Sequence, residues 1–250
     1  MPHLSVLFAT ALAALTSADA IVAVLNTPSA SGVRRFAEAK ALVERDAREG
    51  KPLQQYVVAL TGDDVDLRRK YLAAAKPKIR LLAETRNNPL AWYLLSVETN
   101  DRTMLERAAA GGNVQALNAL GTLITAEAAN DRSGKMSTND VVRALEKAFD
   151  CYHKAALQKD PNGLVNLGAC FLGGIGCSVD RKLAFNCFLA AAKLGHPEAM
   201  DNVSAAYELG HGTEIDMSLS TFWKLKGRAA RGDKASEDWL RSKHANATDR

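Results

Sequence analysis

The apolar residues of this chain fall on helical stripes. From Asp180 to Leu194, the residues Ala184, Cys187, Phe188, Ala191 and Ala192 stand at i, i+3, i+4, i+7 and i+8, one face of an α-helix. Upstream, RRFAEAKALVERDARE carries Phe36, Ala39, Leu42 and Val43 on one stripe. No stretch shows the sustained alternation of a strand. Glycine, proline and capping residues punctuate the pattern. Gly50 ends the first helix, and Pro52 opens a second toward Leu60, as proline does in a first helical turn. The run Gly62 to Asp66 is a turn and N-cap cluster before LRRKYLAAA, without the ligand spacing of a calcium loop. Pro77 is expected to separate that helix from IRLLAETRN. Pro89 opens PLAWYLLSVE, Asp101 opens RTMLERAAAGG, and NVQALNALGTLI follows. Beyond Trp239 the chain has little to bury and is expected to fray.

Over the last hundred residues these stripes repeat. Residues 148–183 and 184–219 superpose without a gap: Ala148 on Ala184, Cys151 on Cys187, Tyr152 on Phe188, Pro161 on Pro197 and Asn166 on Asn202. Phe171 falls on Tyr207, Gly174 and Gly176 on Gly210 and Gly212, and Asp180 on Asp216. A fixed period of this length means stacked copies of one supersecondary unit. Each copy gives two helices, one capped by Asp180 or Asp216 and one opened by Pro161 or Pro197, with Gly174 or Gly210 ending the latter. A worn copy precedes them at residues 108–124, displaced by an insertion around residues 128–140 that leads into an extended helix. A partial copy follows, with Ser220, Trp223, Gly227, Ala235 and Trp239 near register and Gly232 one position late. Ala155, Ala156, Ala191, Ala192 and Gly168 are small where helices must touch.

Composition sharpens this picture in two ways. Only 6% of the 250 residues are aromatic while alanine is plentiful, which favours closely packed helices over a sheet sandwich. The net charge of +4 is spread through the chain with no basic run and no interleaved aromatics, so nucleic acid is not an expected partner. The first twenty residues differ from the rest. They hold an apolar stretch from Leu4 to Leu15 and a small-x-small site at Ala18 and Ala20, and read as a signal peptide despite an n-region holding only His3. Residues 21–33 read as a flexible leader. The signal-peptide reading puts the mature chain outside the cytoplasm, and no later segment is apolar enough for a membrane span. If the first segment is not a signal peptide, the location becomes cytoplasmic.

The repeating positions Ala184, Phe188, Ala191, Ala192, Gly195, Ala199, Val203, Ser204, Tyr207, Gly210, Gly212, Thr213 and Asp216 resemble the Sel-1-like repeat, a relative of the tetratricopeptide repeat. The preceding copy carries Leu167, Gly168, Phe171, Gly174, Gly176, Cys177 and Asp180. Thr213 and Cys177 depart from its valine, and Lys224 from its second aromatic. The resemblance implies an all-α fold: a right-handed α/α superhelix, or solenoid, of stacked antiparallel helix pairs. It also implies a non-enzymatic adaptor or scaffold that binds a protein or peptide on its concave face. The expected layout is divergent helical hairpins at residues 34–101, repeats at 102–246 that are clearest at 148–219, and a tail at 247–250.

Candidate chemistry is sparse. Histidines His3, His153, His196, His211 and His244 are scattered, and no zinc-protease, nucleophile-elbow or phosphate-loop motif occurs, so neither a metal nor a cofactor is expected. In the glycine-rich run Gly173 to Gly176, Gly174 and Gly176 recur as Gly210 and Gly212, which makes the run a helix–helix turn. Of four cysteines, Cys170 and Cys177 are the candidate disulfide pair, the other reading being that each cysteine is a small core hydrophobe. Two sequons occur; Asn202 lies within a repeat helix and only Asn246 is plausible as a glycosylation site. If the helix that begins each copy at Ala148 and Ala184 lines the concave face, its solvent positions Asp150, His153, Asn186, Leu189, Phe222 and Lys226 form the expected contact surface. Phe222 beside Trp223 is either an interface anchor or packing in the terminal copy. A cell-envelope hydrolase and a structural protein without a dedicated ligand are the alternatives, and neither has a motif to support it.

Overall fold

The computed structural model describes residues 33–61, 63–131 and 136–248, and every regular element among them is an α-helix. The N-terminal segment read as a signal peptide and leader lies outside the described residues, apart from Val33. The helices fall into two compact units divided at Asp101. The first holds α1 (Val33–Arg48), α2 (Pro52–Thr61), α3 (Val65–Arg86) and α4 (Pro89–Thr99). The second holds α5 (Arg102–Ala110), α6 (Val114–Ala129), α7 (Thr138–Leu157), α8 (Pro161–Gly173), α9 (Arg181–Lys193), α10 (Pro197–Leu209), α11 (Met217–Ala230) and α12 (Lys234–Thr248).

In the first unit, helices adjacent in the chain pack on one another. The carboxylate of Asp64 accepts from the backbone N–H groups of Asp66 (3.0 Å) and Leu67 (2.9 Å), and the Asn88 side chain caps α4 at Ala91 (3.0 Å). Pro77 does not break α3, contrary to the sequence expectation. The carbonyl it deprives of a partner belongs to Ala73, and both residues are exposed, so water is at hand for that group. Tyr71, Ala75, Ile79 and Ala83 are buried at steps of four on both sides of the proline, which holds the two halves to one seat.

In the second unit the 36-residue register becomes geometry. Behind α8, the N–H of Ile175 donates to Cys170 O (3.0 Å) and that of Asp180 to Phe171 O (2.8 Å). Behind α10, His211 donates to Ala206 O (3.0 Å) and Asp216 to Tyr207 O (2.9 Å). Gly176 and Gly212 have φ of +67° and +79°, and a Cβ there would lie 2.2 Å from Leu145 O or 2.1 Å from Arg181 O. Only glycine meets both demands, which is why the pair recurs. The other connection repeats as well. Asn113, Asp160, His196 and Asp233 each donate their N–H five residues back, to Ala108, Ala155, Ala191 and Arg228.

Each of those four is preceded by a residue of positive φ: Gly112 (+83°), Lys159 (+59°), Gly195 (+94°) and Gly232 (+90°). The insertion also acquires a shape. Leu145 is in register with Arg181, the first residue of α9, yet α7 starts at Thr138, about two turns earlier, behind a capping box of Ser137 and Asp140. At the other end, α12 runs on through Thr248 where fraying was expected.

The core of the second unit joins Val165, Phe185, Phe188, Met200, Val203 and Trp223 with alanines at 184, 191, 192 and 199. Gly121 and Gly168 let rings approach: a Cβ on either would lie 2.7 Å from the ring of Tyr152 or Phe188. In the next copy, Ser204 replaces the glycine and Lys224 the ring. There the Ser204 hydroxyl donates to Ser220 O (2.9 Å) and lies 3.0 Å from its hydroxyl.

Candidate functional site

The six expected contact residues lie on α7, α9 and α11. Asp150, Asn186 and Phe222 share one register position on the three helices. Asp150 is exposed and paired with Lys154 at 2.6 Å, and exposed His153 stacks on Phe149 at 6.1 Å between centroids. Asn186 is exposed, while Leu189 is half-buried against the core. Trp223 belongs to the core. Phe222 is half-buried, edge-on to Trp223 at 5.7 Å. The Lys226 ammonium lies 5.6 Å from the Phe222 centroid and 4.8 Å from that of Trp223. Packing thus claims the tryptophan and part of the phenylalanine.

Cys170 is buried and Cys177 half-buried, and both are free thiols. The Cys177 thiol donates to the Cys170 carbonyl oxygen at 3.5 Å. Burial, followed by the nearness of Cys177, pushes the Cys170 thiol up to about 12. Burial also raises Cys151, Cys177 and Cys187, so all four are held as thiols rather than activated as nucleophiles. No group of metal-ligating side chains occurs among the described residues.

A second layer, formed by α6, α8 and α10, is fixed by polar contacts between successive helices. Asn118 on α6 donates to the Asp160 carboxylate (2.7 Å), which itself accepts from the N–H of Gly163 (2.7 Å) at the start of α8. Asn162 on α8 accepts from His196 Nε2 (3.1 Å), while His196 Nδ1 accepts from the N–H of Ala199 (3.3 Å) to cap α10. Those two roles require the neutral imidazole with its proton on Nε2. Burial lowers the His196 pKa in keeping with this. Asp201 on α10 pairs with Arg231 at 2.5 Å.

On this layer Asn166 and Asn202 occupy the same register position, each half-buried, and neither amide makes a hydrogen bond to the described residues. Exposed Ala169 and Ala205 stand one turn further along. Two identical amides with free donors and acceptors, beside side chains no larger than a methyl group, leave room for another chain to approach. The sequence marks Asn166 and Asn202 as matched positions; what it does not reveal is that no described residue hydrogen-bonds their amides.

Cavities occur in both units. In the first unit a cleft of about 540 Å³ runs along α3, lined by Leu72, Lys76, Pro77, Arg80, Leu81 and Glu98 among others. At its floor Glu98 accepts from the Tyr56 hydroxyl and from Lys76 (2.7 Å). Burial raises the Glu98 pKa, and the two hydrogen bonds together with the Lys76 and Arg80 charges outweigh it, so the net shift is downward. In the second unit the added turns of α7 meet the α8–α9 turn around about 370 Å³, between Val142, Leu145, Glu146, Gly176, Cys177 and Ser178.

The Sel1 repeat model matches residues 135–160, 161–196 and 197–223. Residues 135–223 are Sel1 repeats. The second and third matches open at Pro161 and Pro197; the second spans α8 and α9, and the third spans α10 and ends within α11. The opening helices are therefore α8 and α10, and the six expected contact residues lie on closing helices. A Sel1 repeat protein from Oxalobacter formigenes is 23% identical, over 52% of this chain and 90% of that one, with a TM-score of 0.44. The protective antigen c5321 of uropathogenic Escherichia coli strains, which displays an SLR fold, is 18% identical over 83% of this chain, with a TM-score of 0.39. This chain covers 54% of that antigen's length. No curated protein matches the chain.

Proposed function

We infer that the Sel1 repeats form a non-enzymatic scaffold that binds an extended segment of a partner protein along α8 and α10. Sel1 repeat proteins generally mediate protein–protein interaction. The observation that carries the reading here is the pair Asn166 and Asn202, whose amides have no hydrogen-bond partner among the described residues and which stand one turn from exposed Ala169 and Ala205. An amide offers both a donor and an acceptor, the complement of a peptide group, and a main chain recognised this way can carry many side chains. The phase of the matches supports this reading, since it makes α8 and α10 the first helices of their repeats.

A photo-crosslinking amino acid at Ala169 or Ala205, next to the amides, is expected to trap a partner that one at Asn186 on α9 does not. Equal trapping from both layers, or loss of none of it in the Asn166→Ala/Asn202→Ala variant, overturns the assignment. Export belongs to the same reading and rests on the apolar stretch and small-x-small site of residues 4–20. N-terminal sequencing of the native protein is expected to start at Ile21, and an intact Met1 removes it.

A further inference from the structure

The closing helices carry a different signal. Helices α9 and α11 hold six basic residues (Arg181, Lys182, Lys193, Lys224, Lys226 and Arg228) and no acidic one, and none of the six forms an ion pair among the described residues. The opening helix between them, α10, has the reverse composition, with Glu198, Asp201 and Glu208 and no lysine or arginine. Charge is thus sorted between α10 and the two helices that flank it in the chain, although the chain as a whole interleaves its signs. On α7 the cations are largely matched: Arg143 lies 3.9 Å from Asp140, Lys147 4.0 Å from Glu106, and Lys154 2.6 Å from Asp150. The unmatched positive charge begins at α9.

Apolar side chains accompany it. Lys182, Asn186, Leu189 and Lys193 form one stripe on α9 at helical spacing, and Ser218, Phe222, Leu225 and Ala229 fill the matching positions on α11. Leu189, Phe222 and Leu225 are half-buried, so they offer surface without projecting from it. We propose that the α9–α11 face is a second docking surface, distinct from the asparagine layer, for an acidic amphipathic segment of a partner protein. Its carboxylates would meet Lys182, Lys193 and Lys226, and its apolar side chains Leu189, Phe222 and Leu225. The geometry favours protein over the other polyanions. Of the rings on α9 and α11, Phe185, Phe188 and Trp223 are buried and Phe222 is half-buried, so this face offers no row of open rings on which successive bases could stack. Recessed aliphatics give a bilayer little to bury.

The test uses the full chain and a fluorescent 14-residue helical peptide with leucines on one face and glutamates on the other. Its lysine analogue, vesicles containing anionic lipid, and a 20-base-pair DNA duplex are run alongside. The glutamate peptide is expected to bind, to weaken at least tenfold on Lys182→Glu/Lys193→Glu/Lys226→Glu, and to bind Asn166→Ala/Asn202→Ala as it binds the parent. No binding of the glutamate peptide, equal binding of the lysine analogue, or stronger binding to vesicles or DNA overturns the proposal. An equal loss in the asparagine variant would merge this surface with the first one and also overturn it. Circular dichroism of the charge variant checks that it is folded, and Leu189→Ala supplies a second variant that keeps the charge.

Discussion

The ring of Phe188 lies against the Cα of Gly168, so close that a Cβ on the glycine would sit 2.7 Å from the ring edge. Tyr152 and Gly121 stand in the same relation. The glycines exist so that α8 and α6 can take a flat ring at the shortest approach, and their helix-weakening tendency is offset by that burial. Gly168→Ala is expected to destabilise the chain by about 1–3 kcal/mol, because a buried ring has no free space to retreat into. Urea denaturation measures the loss. In Gly168→Ala/Phe188→Leu, where a smaller side chain replaces the ring, the alanine should cost less than it does beside phenylalanine. An additive pair would show that the two residues do not compete for the same space.

Lys159 holds the left-handed position that Gly112, Gly195 and Gly232 hold in the other copies, at φ +59°. A side chain with a Cβ is strained there by about 1–2 kcal/mol, and glycine returns part of that through its freer unfolded chain. Lys159→Gly is therefore expected to stabilise the protein by about 0.5–1 kcal/mol. Gly195→Lys, the reverse change one copy on, should destabilise it by a similar amount. Chemical denaturation midpoints decide, and a Lys159→Gly midpoint at or below that of the parent contradicts the strain.

How far the fold is legible in the sequence follows from residues like these. Apolar stripes and capping residues yield nearly every helix because they depend on neighbours three or four positions away. Asp180, Asp216 and Pro161 do what their spacing says. Pro77 misleads, since what it does to α3 depends on whether Ala73 faces water, and that is a tertiary fact. A register gives a period but no phase. Alignment from Ala148 or from Pro161 fits the sequence equally well, and the choice of origin decides which helices open a repeat and which close it. Asn166 and Asn202 are visible as matching letters, while their lack of partners emerges only once the neighbouring helices are in place.

His196 caps α10 only while its imidazole is neutral, because Nδ1 must accept from Ala199. Burial lowers its folded pKa below the unfolded value of about 6.5. The unfolded chain then binds the proton more readily, so the cap's contribution is full above that value and is lost as pH falls through the folded pKa. Stability is expected to drop by about 1 kcal/mol on this account between neutral and mildly acidic pH. His196→Asn keeps an acceptor that does not titrate. Denaturation at pH 7.5 and 5.5 should show a smaller difference in that variant than in the parent.

The cysteines differ in access and in thiolate content, and alkylation reads both. Cys170 is buried with its thiol pushed up to about 12, so at pH 8 only on the order of one molecule in ten thousand carries the thiolate. Cys151 is buried too, whereas Cys177 and Cys187 are partly exposed. With iodoacetamide at pH 8 the native chain is expected to label at Cys177 and Cys187 well before Cys170 and Cys151, as followed by peptide mass. Denaturant should level the four rates, because unfolding removes the burial that separates them. Protein purified from its native compartment adds a second outcome. If Cys177 and Cys170 both resist labelling in denaturant until a reductant is added, they are joined there, and the free-thiol arrangement is the reduced form of that pair. If both label without reductant, the pair is two core thiols, and the Cys177 hydrogen bond to the Cys170 carbonyl is its resting state.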